Sequence, residues 1–225
     1  MQLTGPCKVV NTACASSLDA ILEAVQGIKA GAFDAAIAGG VNLLSSQEFS
    51  RCMRQSGFLA PGGRCRTFDA GADGYVRGEG CGLVLLTRED LCEGGHFYAE
   101  ILGGASNHNA GRSASITAPS PQAQEECIHR ALLDARVSPG EVSYVECHGT
   151  GTALGDPIEI GAAAQVVLQG RGASPEGVVS VTAVKTMVGH SEAAAGLAGL
   201  LQSGLQMEQA ASLPCLLYTS PSPRD

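Results

Sequence analysis

"VVNTACASSLDAILEAV", residues 9–25, runs from an apolar pair through a short polar turn into a segment with helical spacing. Leu18, Ile21, Leu22, Val25 and Ile28 keep the i, i+3, i+4, i+7 interval of one apolar helix face. Val9 and Val10 are β-branched and read as the end of a buried strand. A strand that passes directly into a helix is the repeating unit of α/β folds, and Cys14 stands at the joint. A sulfur there meets first-turn N–H groups that lack intrahelical partners, and the positive end of the macrodipole; both favour thiolate. A structural cysteine packed before a helix fits the same position, so Cys14 needs partners before it has a chemistry.

Outward from this joint the alternation continues. Six short aliphatic runs read as strands: 7–13, 34–39, 82–88, 98–104, 142–147 and 178–184. Beyond the first helix, a second is expected over 121–136, where Ile128, Leu132 and Leu133 share a face and Pro139-Gly140 ends it. A third begins at Asp156-Pro157, read as an acidic N-cap followed by a proline whose missing N–H is harmless there. A fourth runs from Ser191 to about Glu208, with Gly196, Gly199 and Gly204 admitting a close neighbour. The order predicts an α/β fold with a largely parallel sheet. Between 45 and 80 the pattern lapses into "GFLAPGGRCRTFDAGADGYVRGEG" and reads as a long ordered loop. Six arginines between Arg51 and Arg88 are the one basic concentration; solvated or internally paired arginines are the plain reading, a patch for an acidic partner the other. The last segment, "CLLYTSPSPRD", resembles a linker or translated adaptor, which gives a domain over 1–213 and a non-native or linker tail over 214–225.

Composition narrows the function. Fourteen Lys and Arg against 22 Asp and Glu leave a net charge of −8, which argues against nucleic acid as a partner. No signal-peptide pattern opens the chain and no apolar stretch is long enough to span a bilayer, so no membrane association and a cytoplasmic location are expected. Nine cysteines without a C-x-x-C pair disfavour a disulfide framework or zinc ribbon; most should be small buried hydrophobes.

Two further strand ends carry reactive side chains. In "YVECHGTGTALGDPIEIG", residues 144–161, a strand delivers His148 into a glycine-threonine loop before a helix. Ligands of open α/β sheets bind beyond the carboxyl ends of strands, where His148 falls. Gly149, Gly151 and Gly155 have the wrong spacing for a dinucleotide fingerprint, and no P-loop lysine follows. In "VVSVTAVKTMVGHSEAAAGLAGL", residues 178–200, a strand delivers Lys185, one of three lysines in the chain, and His190 follows five residues later. Lys185 is either a surface residue at a strand end or a buried cation in need of a carboxylate. Cys, His and Lys-x4-His together suit acyl chemistry: a thiolate accepts an acyl group while imidazoles stabilise charge on a carbonyl. The ligand spacing does not suit zinc, and no metal is expected.

At these residues the chain resembles the β-ketoacyl synthase, or condensing-enzyme, domain of type I polyketide synthases and fatty acid synthases. The resemblance rests on "VNTACASSLDAI", "AIAGGVNLL", "GRCRTFDAGADGYVRGEGCGLVLL", "GRSASITAPSPQAQE", "VECHGTGTALGDPIE" and "VKTMVGHSEAAAGLAGL", in that order, over about residues 5–212. It implies a thiolase-like layered α/β/α/β/α fold with two pseudo-repeated halves, as a homodimer. It implies that Cys14 accepts the acyl chain and that its backbone N–H forms half of an oxyanion hole. His148 and His190 would bind the malonyl thioester carbonyl and assist decarboxylation. Lys185 would orient that site, salt-bridged to Glu159, and Thr150 and Thr152 would hydrogen-bond the phosphopantetheine arm. No bound cofactor is implied; the phosphopantetheine belongs to the acyl carrier protein partner, which brings acyl and malonyl thioesters. Asn11 stands where the family commonly has Asp. The family's region before the nucleophile, and the later segment with a second oxyanion donor, have no counterpart here, so the chain reads as a fragment, expected to expose apolar surface and condense little. Plastid targeting on a missing N-terminus stays open. The rival readings are a malonyl decarboxylase or non-elongating carrier-binding protein, and a Cys-His thioester hydrolase.

Overall fold

The chain is described here from a computed structural model, which covers residues 3–92, 97–109, 111–112, 118–169 and 178–209. The expected tail over 214–225 lies outside the described residues. Among the described residues the helices and strands follow one another as α1 (Ser16–Lys29), β1 (Ala35–Asn42), α2 (Gln47–Gln55), β2 (Gly80–Thr87), α3 (Pro121–Ala135), β3 (Tyr144–Glu146), α4 (Gly155–Val167), β4 (Ser180–Thr182), α5 (Lys185–Val188) and α6 (Ala195–Gln209).

Helix α1 keeps its expected apolar face. Ile21, Ala24 and Val25 are buried with Ala38 of β1 and Leu197 of α6, and Ala36, Val84, Leu86, Ile101 and Leu200 pack around them. Ser17 is wholly buried, and its Oγ accepts the Leu197 N–H at 3.0 Å, tying α1 to the start of α6. Gly196 and Gly199 sit at close approaches, to Leu18 and Glu146, whereas Gly204 faces open space. Elsewhere α3 packs on α4, whose Ala162, Ala163, Val166 and Val167 are buried.

The sheet corrects the expected parallel arrangement in part. β3 and β4 are parallel, but β1 and β2 are antiparallel, with Ala35 opposite Thr87 and Asn42 opposite Gly80. The connection between β1 and β2 is the long 43–79 excursion, which turns the chain back instead of crossing over. That excursion is not wholly loop. "QEFSRCMRQ" forms α2, capped by Ser46, whose Oγ accepts the Phe49 N–H.

Two expected strands are absent among the described residues. Residues 7–11 have no ladder partner, and Val9 is almost wholly in solvent; a strand exists only where a neighbour pairs with it. Residues 98–104 bury Ile101 against the core, but their backbone bonds go to side chains: Lys29 Nζ donates to the Leu102 carbonyl and Gly104 N–H to Asp134. The cysteines also depart from expectation. Cys65 and Cys147 are buried, whereas Cys7, Cys52 and Cys81 are exposed. Burial pushes the Cys65 thiol up.

On the outer face of the β1–β2 pair, Ile37 lies opposite Leu85 and Gly39 opposite Leu83, with Val41 one step along. Leu83 and Leu85 are about two-thirds exposed, at 67% and 66%, while the opposite face of the same strands packs on α1 and α6. An apolar sheet face of this kind drives association. The chain expressed on its own should self-associate, measurable by light scattering on a sizing column, and Leu83→Lys with Leu85→Lys should shift it toward monomer.

Candidate active site

Cys14 stands in a single 3-10 turn, Ala13–Ala15, that leads into α1. Ala13 has a φ of +54°, a left-handed conformation unfavourable for a residue with a Cβ. Ser16 holds this bend: its Oγ donates to the Ala13 carbonyl at 2.6 Å and accepts the Thr12 N–H at 3.0 Å. Asn11 adds an acceptor for the Ala13 N–H at 3.4 Å. The sequence suggested the strand-to-helix joint but not this sharp bend. Its signal is Ser16, placed where a hydroxyl reaches back over one turn.

His148 follows β3, whose ladder extends to a Cys147 N–H bond with the Thr182 carbonyl. The backbone then turns through Gly149 and Gly151, both at positive φ. Cβ atoms there would lie 2.6 Å from Ala183 Cβ and from Arg66 N respectively, so both conformation and space require glycine. Glu159, on α4, fixes the start of the loop by accepting the N–H groups of His148 and Gly149, at 2.5 and 2.8 Å. Asp156 fixes the rest. Expected as the N-cap of its helix, it is instead buried in the first turn of α4, whose N-cap is Leu154. There Oδ1 accepts the Gly151 and Thr152 N–H groups and Oδ2 accepts the Phe68 N–H. Asp156→Ala strands three N–H groups in the interior and should cost about 3 kcal/mol, read as a lowered urea midpoint.

His190 stands in the turn after α5. Lys185 does not end a strand as expected; β4 stops at Thr182 and Lys185 opens α5, buried. His190 donates its backbone N–H to the Val76 carbonyl at 2.7 Å. Its Nδ1 accepts the Glu192 N–H at 3.1 Å, which assigns the ring proton to Nε2.

These segments converge. The Cys14 Sγ and a ring nitrogen each of His148 and His190 lie within 4.8 Å of one another. The imidazoles meet edge to face with ring centroids 5.2 Å apart, and Tyr75 packs against His190 at 5.0 Å. A cleft of about 700 Å³ opens over Cys14 and His148, lined also by Cys127, Thr150, Glu159 and Lys185 among others. Thr150 and Thr152 stand beside it with their hydroxyl oxygens 3.3 Å apart; Thr152 also accepts the Gly155 N–H.

Among the described residues Lys185 forms no ion pair with Glu159 within 4.0 Å, because that carboxylate is engaged by the loop N–H groups. The two still feel each other's field. Desolvation lowers the Lys185 pKa, against the pull of Glu159 and Glu146, and desolvation raises that of Glu159, against its two backbone bonds and Lys185. Glu146 was not singled out from the sequence. It accepts the Val184 N–H at 2.6 Å, just before Lys185, and bonds to the Tyr144 and Thr182 hydroxyls.

Both histidines are neutral. Desolvation first, then the Lys185 charge, lowers the His190 pKa to about 4. The His148 ring is open to the cleft but enclosed by protein on its other sides, and desolvation with the charges of Lys185 and His190 lowers its pKa to about 3. As pH falls, the unfolded chain takes up these two protons near the ordinary value of 6.5, before the folded chain does. The stability linked to them is therefore full above about 6.5 and is lost between 6.5 and about 4 to 3. Urea midpoints at pH 7.5 and pH 5 should differ more for this chain than for its His148→Asn/His190→Asn variant.

One cysteine and two histidines are also metal-ligand types. Here His190 commits its Nδ1 lone pair to a backbone N–H and keeps its proton on Nε2, and Lys185 lines the cleft beside Cys14 and His148. N–H donors and a cation suit a ligand that carries negative charge. The arrangement offers a nucleophilic sulfur, a carbonyl-oxygen site beside two imidazoles, and a polar wall of threonines.

The family profile described as "Beta-ketoacyl synthase, N-terminal domain" matches residues 1–91, and "Beta-ketoacyl synthase, C-terminal domain" matches residues 98–219. The chain belongs to the β-ketoacyl synthase family. Among its ketosynthase relatives of known structure, the ketosynthase from module 6 of the bacillaene synthase of Bacillus subtilis 168 is 37% identical with a TM-score of 0.91, over 98% of this chain and 39% of that one. The Streptomyces albus oxazolomycin ketosynthase domain is 38% identical with a TM-score of 0.89, over 98% and 38%. Thus the fold is the thiolase-like one of ketosynthases, with mixed helices and strands. Among curated relatives, a phenolphthiocerol/phthiocerol polyketide synthase protein of Mycobacterium tuberculosis is 46% identical over 92% of this chain and 11% of that protein. Polyketide synthase GfsA of Streptomyces halstedii is 44% identical over 97% and 3%. The chain spans about a tenth or less of these relatives' length and under two-fifths of the solved ketosynthase chains. Among the described residues no helix is long and apolar enough to cross a membrane.

Proposed function

We propose that this chain carries the acyl-accepting and decarboxylating centre of a β-ketoacyl synthase that elongates an acyl chain in polyketide or fatty acid assembly. The observation that carries the reading is the meeting of Cys14, His148 and His190 within 4.8 Å, from segments 134 and 176 residues beyond Cys14. In the first step Cys14, its thiol proton passing to solvent, attacks an acyl thioester on a carrier protein; a new acyl–sulfur bond forms on Cys14, the bond to the carrier sulfur breaks, and the carrier thiolate leaves and takes up a proton from solvent. A malonyl-type thioester on an acyl carrier protein then enters, its phosphopantetheine arm along Thr150 and Thr152. Its thioester oxygen takes N–H donors from His190 Nε2 and from His148. Cleavage of the carboxyl carbon bond releases carbon dioxide and leaves an enolate, whose charge those donors stabilise. The enolate carbon attacks the Cys14 thioester, the Cys14 thiolate departs, and the chain, longer by two carbons, remains on the carrier.

Neutral imidazoles suit this role, since each offers an N–H at pH 7 without titrating. Lys185 adds positive potential to the cleft, steered by Glu146 and Glu159. No resident cofactor enters any step. The domain over 1–213, the homodimer and a cytoplasmic location belong to the same proposal, as does low condensing activity of the chain on its own. The test is made on the full-length gene product incubated with an acyl carrier thioester and then with malonyl carrier thioester labelled in the free carboxyl. An acyl adduct on the Cys14 peptide and labelled carbon dioxide are expected. An adduct elsewhere, or none, rejects the reading.

A further inference from the structure

The segment 58–79, the least regular part of the sequence, touches both histidine loops. Thr67 Oγ1 donates to the Gly149 carbonyl at 2.6 Å, and Gly74 N–H donates to the Gly151 carbonyl at 2.9 Å. On the other loop, Val76 accepts the His190 N–H and Gly78 N–H donates to the His190 carbonyl at 2.8 Å. A Cβ at Gly78 would sit 2.6 Å from the Val188 carbonyl, so the two strands of chain touch backbone to backbone.

Between those bonds stands Arg77. Its guanidinium fork pairs with Glu192 through both nitrogens, Nε to Oε1 at 2.5 Å and Nη2 to Oε2 at 2.9 Å. A third nitrogen, Nη1, donates to Ser50 Oγ at 2.7 Å, and the group lies over the Phe49 ring at 4.7 Å from its centroid. The Arg77 side chain is 8% exposed and that of Glu192 22%. Glu192 itself has a φ of +44°, a conformation that a residue with a Cβ holds only when its surroundings fix it. It is this residue whose N–H meets His190 Nδ1.

We propose that the Arg77–Glu192 pair is a positioning device for His190: it holds the Glu192 backbone in a left-handed turn, so that its N–H occupies Nδ1 and the ring proton of His190 stays on Nε2, beside Cys14 and His148. The carboxylate does not touch the imidazole; it anchors the residue whose main chain does. An arginine suits this place because a bidentate fork fixes orientation, which a lysine's point charge does not. The inference rests on the proposed role of His190 as an N–H donor, but its geometric half stands without it.

Arg77→Gln, Arg77→Lys and the Arg77→Gln/Glu192→Gln double variant, which leaves no unpaired charge, are made in the full-length gene product. In the first arm diethyl pyrocarbonate modification at His190 and at His148 is followed by peptide mass spectrometry at pH 7. With Nδ1 occupied and Nε2 protonated, His190 has no free lone pair and reacts slowly in the parent protein. At least a tenfold rise is expected at His190 in all three variants, with His148 changed less than twofold. Equal rises at both histidines indicate general loosening and overturn the proposal, as does no rise in a folded variant. In the second arm decarboxylation of malonyl carrier thioester should lose at least tenfold in kcat with KM within threefold, while acylation of Cys14 keeps its rate. Loss of acylation in parallel overturns the positioning role. A parent protein that shows the His190 labelling contrast but no decarboxylation rejects the proposed function and leaves the tautomer device established.

Discussion

Cys14→Ala in the full-length gene product abolishes chain elongation, by about three orders of magnitude or more, and leaves decarboxylation of the malonyl thioester within a few-fold of the parent. The two halves of the result have separate physical causes. Elongation needs a sulfur that forms a thioester with the acyl chain and later leaves, and alanine offers no such bond. Decarboxylation needs only that charge on the thioester oxygen be stabilised, and the groups placed for that are the two imidazoles. His190 is held by Val76, Gly78 and Glu192, and His148 by Glu159; none of these anchors runs through Cys14. The variant should also fold, because Cys14 is only partly buried and the bend around it is held by Ser16. Carbon dioxide release and product length, measured side by side, separate the two activities. Elongation that persisted in Cys14→Ala would place the acyl acceptor elsewhere.

His148→Ala and His190→Ala produce the converse pattern. Each removes one N–H donor from the developing enolate, and loss of one such donor in a desolvated site costs on the order of 100-fold to 1,000-fold in rate. Acylation of Cys14 should survive, since the sulfur and its turn are untouched. The two losses should not multiply, because both donors act on one oxygen and the first removal already forfeits most of the preorganised field. The pH profile of decarboxylation carries a further expectation. With pKa values near 4 and 3, neither imidazole titrates between pH 5 and pH 8, so the histidines contribute no inflection there. An inflection near 6.5 that His190→Ala or His148→Ala removed would mean that the affected imidazole is not held neutral by burial.

Much of the fold was legible because hydrophobic period reports burial. The apolar stripe of α1 and the runs that became β1 and β2 come directly from it. The sense of strand pairing was not, since an apolar run buried on a sheet looks alike whichever way its neighbour points. Residues 7–11 show the same limit from the other side: β-branched residues make a strand possible, and only a partner makes it one. Helix α2 was hidden because "QEFSRCMRQ" has little apolar content, and its one clear signal was Ser46 three residues before Phe49.

The site divides in a similar way. Cys14, His148 and His190 stand out as reactive types at element ends, and the structure brings those three together. Lys185 shares the cleft, but a salt bridge to Glu159 does not form, since Glu159 holds the turn that carries His148. That use of a carboxylate leaves no trace in spacing: a helix residue that accepts two loop N–H groups looks the same in sequence as one that pairs with a lysine. Asp156 was read as a cap for its own helix and instead caps the threonine loop and Phe68. Arg77 and Glu192 lie 115 residues apart, and each looks like an ordinary charged residue until the excursion and the His190 turn are seen to touch. The arginine-rich stretch is thus partly structural, with Arg77 and Arg88 paired to carboxylates.

In this mechanism the Cys14 sulfur and two neutral imidazoles join an acyl group to a decarboxylated malonyl unit. Weighing the products formed by the full-length gene product from one acyl carrier thioester and one malonyl carrier thioester tests it most directly. Carbon dioxide and a carrier-bound β-ketoacyl chain longer by two carbons are expected; release of the free acid, with no chain extension, would contradict this mechanism.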